Sequence, residues 1–157
     1  MRRLGSLFVL VLAVASTACA DPNPKAELRL GVDEFELRLT PQPAIQDEGQ
    51  VKFFVDNVGE LEHNLVFARA KSPSDLPLAP DGSVDLDKAQ VADQLKPFGP
   101  GKFRIAPEFF PGPLVIFCNL VTKGADGQPI SHFQRGMSAT LMIRDTGSND
   151  PAGPSGP

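Results

Sequence analysis

His63 and His132 are the only two histidines in the chain, and Cys118 is one of two cysteines. His63 stands just before the apolar-rich run Asn64-Leu65-Val66-Phe67-Ala68. Cys118 closes the run Pro113-Leu114-Val115-Ile116-Phe117. His132 opens His132-Phe133-Gln134-Arg135-Gly136-Met137, which adds one of three methionines. Two imidazoles, a thiol and a thioether therefore all fall at strand ends or in connecting loops. Cu(I) is soft and favours thiolate and thioether, whereas Cu(II) favours imidazole and thiolate. Two His, one Cys and a weaker Met form a set that serves both oxidation states with little rearrangement, as one-electron transfer requires. Binding would release the thiol proton and leave no free thiol.

Each residue alone has a plainer reading. A histidine before a strand is usually structural or exposed. A single cysteine is often a small buried hydrophobe, and Met137 could be core. A Cys–His catalytic pair would need an orienting third group and a pocket, and the sequence signals neither. There is no Gly-rich phosphate loop, zinc pattern or carboxylate pair, so no enzyme is expected. Glu60 and Glu62 beside His63 read as a solvated turn.

The elements that must position these residues are short strands. Glu27-Leu28-Arg29-Leu30 and Glu34-Phe35-Glu36-Leu37-Arg38-Leu39 alternate polar and apolar, the period of half-buried strands. Gln50 to Val55 puts Val51, Phe53 and Val55 on one face. Lys102 to Ile105 and Ala139 to Ile143 read as further strands. The run Pro113 to Cys118 is apolar on both faces, as a central buried strand would be. From about Ala70 to Pro100 the chain is rich in Pro, Asp, Gly and Ser; Asp85 to Leu95 within it is loosely periodic and predicts a helical turn or two. The pattern of about seven strands without a strong amphipathic helix predicts an all-β Greek-key β-sandwich.

The first twenty residues are of a different kind. Met1-Arg2-Arg3, the apolar run Leu4 to Ala15 and the small residues Ser16 to Ala20 have the form of a secretory signal peptide. The apolar run falls short of the ~20 residues that a spanning helix needs. Thr17-Ala18-Cys19 resembles a bacterial lipobox, with Cys19 as the lipid site; cleavage after Ala20 is the alternative. The expected organisation is a signal over 1–20, a spacer over 21–26, one domain over 27–144 and a disordered tail over 145–157, the tail being poor in apolar residues. Loss of Arg2 and Arg3 leaves 13 Lys+Arg against 19 Asp+Glu, a net charge of −6. That balance excludes nucleic acid as a partner and suits a basic patch on a protein partner. With Cys19 lipidated or removed, Cys118 has no disulfide partner in the chain.

Three segments together resemble the cupredoxins of the plastocyanin and halocyanin type. Glu62-His63-Asn64-Leu65-Val66 is similar to their first histidine segment. Phe110-Pro111-Gly112 through Cys118-Asn119-Leu120 is similar to their cysteine segment. His132 through Leu141 is similar to their histidine–methionine segment and last strand. The resemblance covers roughly Glu27 to Arg144. It implies that His63, Cys118, His132 and Met137 hold one copper ion, and that Asn64 ties the two ligand loops together. It further implies an exported monomeric electron carrier, in the periplasm or on the outer face of the cell membrane. Its partner would be a redox protein, met through the exposed edge of His132 near Phe133 and Pro129. Copper storage or delivery with the same ligands, and a metal-free binding module, are the alternatives. One departure stands out. The family places two to four residues between the cysteine and the second histidine, and this chain places thirteen, Asn119 to Ser131. Asp126-Gly127 within them is a turn signal, so the insertion reads as a small hairpin. Its extra loop entropy is only about 1–1.5 kcal/mol.

Overall fold

A computed structural model describes residues 27–147, so the predicted signal peptide, the spacer and most of the predicted tail lie outside the described residues. Within them run β1 (Leu28–Asp33), β2 (Glu36–Thr40), β3 (Ile45–Asp47), β4 (Gly49–Gln50), β5 (Phe53–Asn57), β6 (His63–Arg69), β7 (Val91–Phe98), β8 (Gly101–Ile105), β9 (Glu108–Phe109), β10 (Gly112–Phe117), β11 (Val121–Lys123), β12 (Pro129–Ser131) and β13 (Ser138–Arg144). One sheet has the order β2-β1-β5-β8 and the other β3-β13-β10-β6-β7. β1 pairs with β5 and β13 with β3 in parallel, and the remaining pairs in both sheets are antiparallel. The two sheets face each other as the predicted sandwich.

The alternation read from the sequence places one face of each strand in the core. Leu28, Leu30 and Val32 of β1 and Leu37 and Leu39 of β2 are buried, together with Phe53 and Val55 of β5. They meet Leu65 and Phe67 of β6, Leu114 and Ile116 of β10, and Leu141 and Ile143 of β13. Phe67 is central: its ring lies 5.5 Å from Phe53 and 5.2 Å from Phe109, centroid to centroid.

β6 and β10 are buried on both faces. Their outward residues Val66, Ala68, Val115 and Phe117 form a second apolar cluster with Leu76 and Val84. The Pro-rich excursion supplies that cover, so the continuous apolar runs have a structural reason. Of the helical turn or two predicted within Asp85 to Leu95, one turn forms and the rest is strand. Lys88 and Ala89 donate to the Asp85 carbonyl in a single turn, and Val91–Phe98 is the edge strand β7 on β6. Pairing with the open edge of β6 outweighs the weak local periodicity. The excursion also holds a 3₁₀ turn at Pro73–Asp75.

Phe67→Ala should cost about 3–5 kcal/mol of stability, the range for emptying a buried ring site. Phe110, 71% exposed, should tolerate the same change within about 0.5 kcal/mol. Urea unfolding of the metal-free protein followed by circular dichroism measures both.

Candidate metal centre

His63 is the first residue of β6, and the turn before it is built by a buried asparagine. Asn57 Nδ2 donates to the Leu61 carbonyl at 3.1 Å, and Asn57 Oδ1 accepts from Gly59 N–H at 3.1 Å. Gly59 sits where a Cβ would come within 2.8 Å of Glu34 Oε1 and 3.0 Å of Glu34 N. That close approach brings the β1–β2 turn against the histidine loop, and Glu60 N–H donates to Glu34 Oε1 at 2.6 Å. In the sequence Asn57-Val58-Gly59 reads as a plain turn, and its Asn-x-Gly spacing is the one local signal of this positioning role.

Cys118 follows β10 directly. Its N–H donates to the Met137 carbonyl at 3.1 Å, and Met137 N–H donates to the His132 carbonyl at 3.1 Å. The segment from His132 to Met137 is one tight turn, in which Gly136 takes φ 98°. Asn64 Oδ1 accepts from Asn119 N–H at 2.7 Å, so the residue after the first histidine is tied to the residue after the cysteine. The thirteen residues between Cys118 and His132 form the hairpin β11–β12, turning at Asp126-Gly127.

These ties bring three donors together. His132 Nδ1 lies 3.2 Å from His63 Nδ1 and 3.5 Å from Cys118 Sγ. All three donor atoms lie within 4.8 Å of one another, and all three residues are buried. Met137 is fully buried in the same core cluster as Cys118. A first-row ion bonds nitrogen at about 2.0–2.1 Å and thiolate sulfur at about 2.3 Å. Donors gathered around such an ion therefore stand roughly 3.3–3.8 Å apart, close to the spacing found. Two imidazoles and a thiol, with a thioether in the same cluster, suit one copper ion.

Burial disfavours charge on the donors. It pushes the His63 imidazole down to about 4, helped by the neighbouring His132 ring and opposed by Glu34 and Asp33. His63 Nε2 is buried without a hydrogen-bond partner, so a charge there would be unsolvated. Burial lowers His132 too, against Glu34. It raises the Cys118 thiol, against the backbone N–H groups of Leu120 and Asn64. A metal ion would therefore meet neutral imidazoles and displace the thiol proton.

His132 differs from expectation in one respect. Its edge is not exposed; the residue is completely buried. The Phe35 ring meets it edge-on, centroids 5.1 Å apart at 80°, and Thr122 Oγ1 lies 3.3 Å from its Nε2. Phe133 is half-buried, one side of its ring packed on Phe117 at 5.3 Å. Pro129 is exposed.

No protein family's sequence profile matches this chain, and no curated protein matches it. Solved structures do. Reduced auracyanin from the photosynthetic bacterium Roseiflexus castenholzii, a cupredoxin, is similar at a TM-score of 0.50 and 15% identity, over 75% of this chain and 96% of that one. The chain has the cupredoxin fold. Auracyanin A of Chloroflexus aurantiacus, described as a blue copper protein, matches with a TM-score of 0.48 and 11% identity, over 76% and 98% of the two chains. Rusticyanin of Thiobacillus ferrooxidans matches with a TM-score of 0.46 and 11% identity, over 76% and 77%. Within this cupredoxin fold the donors lie where β6 starts, where β10 ends and just before β13.

The depressed His63 value fixes a pH dependence. Above about 6.5 both folded and unfolded chains hold His63 neutral. As pH falls from about 6.5 toward about 4, the unfolded chain binds a proton that the folded one refuses, so stability drops through that window. The urea midpoint of the metal-free protein should therefore be flat near pH 7, fall between pH 6.5 and 4, and fall again at alkaline pH, where the unfolded chain loses the thiol proton that buried Cys118 keeps. The acid-side fall should be smaller in His63→Gln.

Proposed function

We propose that this protein is a one-electron carrier that holds one copper ion with His63, Cys118, His132 and Met137. The observation that supports this most is the convergence of two Nδ1 atoms and a thiol sulfur on fully buried residues. Burying three polar groups costs free energy unless something satisfies them, which argues against a metal-free binding module. When bound, copper would supply reversible one-electron chemistry. The residues supply everything else. His63 and His132 present unprotonated nitrogens, Cys118 gives up its proton, and the Asn64–Asn119 bond holds the loops at a fixed separation. Rigid ligands that move little between oxidation states favour rapid transfer. Complete burial of the ligands also favours a carrier over a storage or delivery protein, which must release its metal.

In this reading the protein is exported and Cys19 carries lipid. One acyl chain gives marginal membrane binding and two give a stable anchor. Among the described residues no helix is long and apolar enough to cross a membrane, and an anchor of this kind needs none. A redox protein with a basic surface would be the partner, matching the net negative charge.

Copper added to the protein should bind at one ion per chain and produce a strong thiolate-to-copper absorption in the visible region. Cys118→Ser should abolish that band. A copper-loaded wild-type protein with no such band would refute the carrier reading, and irreversible voltammetry with loss of metal on each cycle would shift it to delivery. Mass analysis of membrane-extracted protein should find the mature chain beginning at lipid-bearing Cys19, and Cys19→Ala should release it from the membrane fraction.

A further inference from the structure

The second histidine lies at the foot of an exposed hairpin, yet it is completely buried. Two elements distant from each other in sequence close over it. The hairpin β11–β12 pairs Thr122 with Ile130 and so carries the Thr122 hydroxyl to 3.3 Å from His132 Nε2. The turn between β1 and β2 places the half-buried Phe35 edge-on to the same imidazole, with ring centroids 5.1 Å apart. Phe35 is itself held from outside. The guanidinium of Arg135, three residues after His132 in the ligand turn, stands 5.7 Å from the ring centroid. The Phe35 turn is held by Glu34 N–H donating to Asp33 Oδ1 at 2.9 Å and by Glu60 N–H donating to Glu34 Oε1.

We propose that Phe35 and Thr122 form a cover over His132, closing the metal centre to solvent and small ligands at this end of the sandwich. Phe35 is a positioning residue: it touches the imidazole and would not touch the metal. Its edge-on ring excludes water from one side of His132 while Thr122 satisfies Nε2, the nitrogen left for a hydrogen bond when Nδ1 faces the other donors. A partner approaching here would meet the Phe35 ring in place of a bare imidazole edge. The role in metal chemistry rests on the copper reading above; the cover itself is a property of the metal-free chain.

The test uses both states. Metal-free protein is treated with diethyl pyrocarbonate at pH 7, and carbethoxylation of the chain's two histidines is followed by peptide mass spectrometry. Wild-type His132 should react slowly. Phe35→Ala should speed His132 by about tenfold or more, the effect of removing a local closure, and leave His63 slow. Phe35→Leu should stay near wild type. Equal acceleration at both histidines would mean that Phe35→Ala has unfolded, and Phe35→Val then takes its place under the same criterion. A wild-type His132 as reactive as free imidazole, or a truncated variant with no selective acceleration, overturns the cover. Copper-loaded protein is then titrated with azide: the wild-type visible band should stay fixed and that of Phe35→Ala should shift. A wild-type band that shifts with azide also overturns the proposal. Absence of any copper band refutes the carrier reading and leaves the carbethoxylation result to decide the cover.

Discussion

Everything at the functional end of this protein answers to one constraint: three polar donor atoms must sit within a few ångströms of each other where water does not reach. Neither imidazole can afford a charge there, and the thiol keeps its proton until a cation replaces it. Donors so placed would drift apart or hydrate if their loops were independent. They are not independent. Cys118 N–H is bonded to Met137, Met137 N–H to His132, and Asn119 N–H to the Asn64 side chain. Each bond runs between backbone or side-chain groups adjacent to a proposed ligand, so the spacing of the donors is set by main-chain geometry as much as by rotamers.

The same logic extends outward to the Pro-rich excursion. Asn119 Oδ1 accepts from Val84 N–H at 2.6 Å, and Asn119 Nδ2 donates to the Val84 carbonyl at 3.0 Å. The buried Ser131 hydroxyl donates to the Gly82 carbonyl at 2.7 Å. The residues just after Cys118 and just before His132 therefore both grip the excursion. Val84 in turn is part of the apolar layer over β6 and β10. The insertion that lengthens the cysteine-to-histidine loop is thus compensated by a second layer that holds both of its ends.

Much of this was legible in the residues. Strands whose one face is buried announce themselves by alternation, as in Leu28-Arg29-Leu30 and Leu37-Arg38-Leu39. The two-sided strand Leu114 to Phe117 does so by its unbroken apolar run, and Asp126-Gly127 marks the hairpin. What was not legible depends on partners remote in sequence. Val91 to Phe98 is an edge strand because β6 offers an unpaired edge, which no local pattern records. The exposed edge expected of His132 follows from the resemblance and not from its neighbours; the ring that covers it comes from a turn near the start of the domain. Asn119 carries no local signal either, since its side chain bonds to an excursion residue thirty-five positions earlier.

The direction of the strands has a further consequence. β1 ends, and β13 begins, at the end of the sandwich that holds His63, Cys118 and His132, as the pairings Val32 with Asn57 and Phe117 with Ser138 require. Leu28 and Arg144, where the described strands start and finish, therefore both lie at the opposite pole. A chain fastened to a surface through either flank would thus be attached at the pole remote from the donor cluster, the full length of the strands away from it.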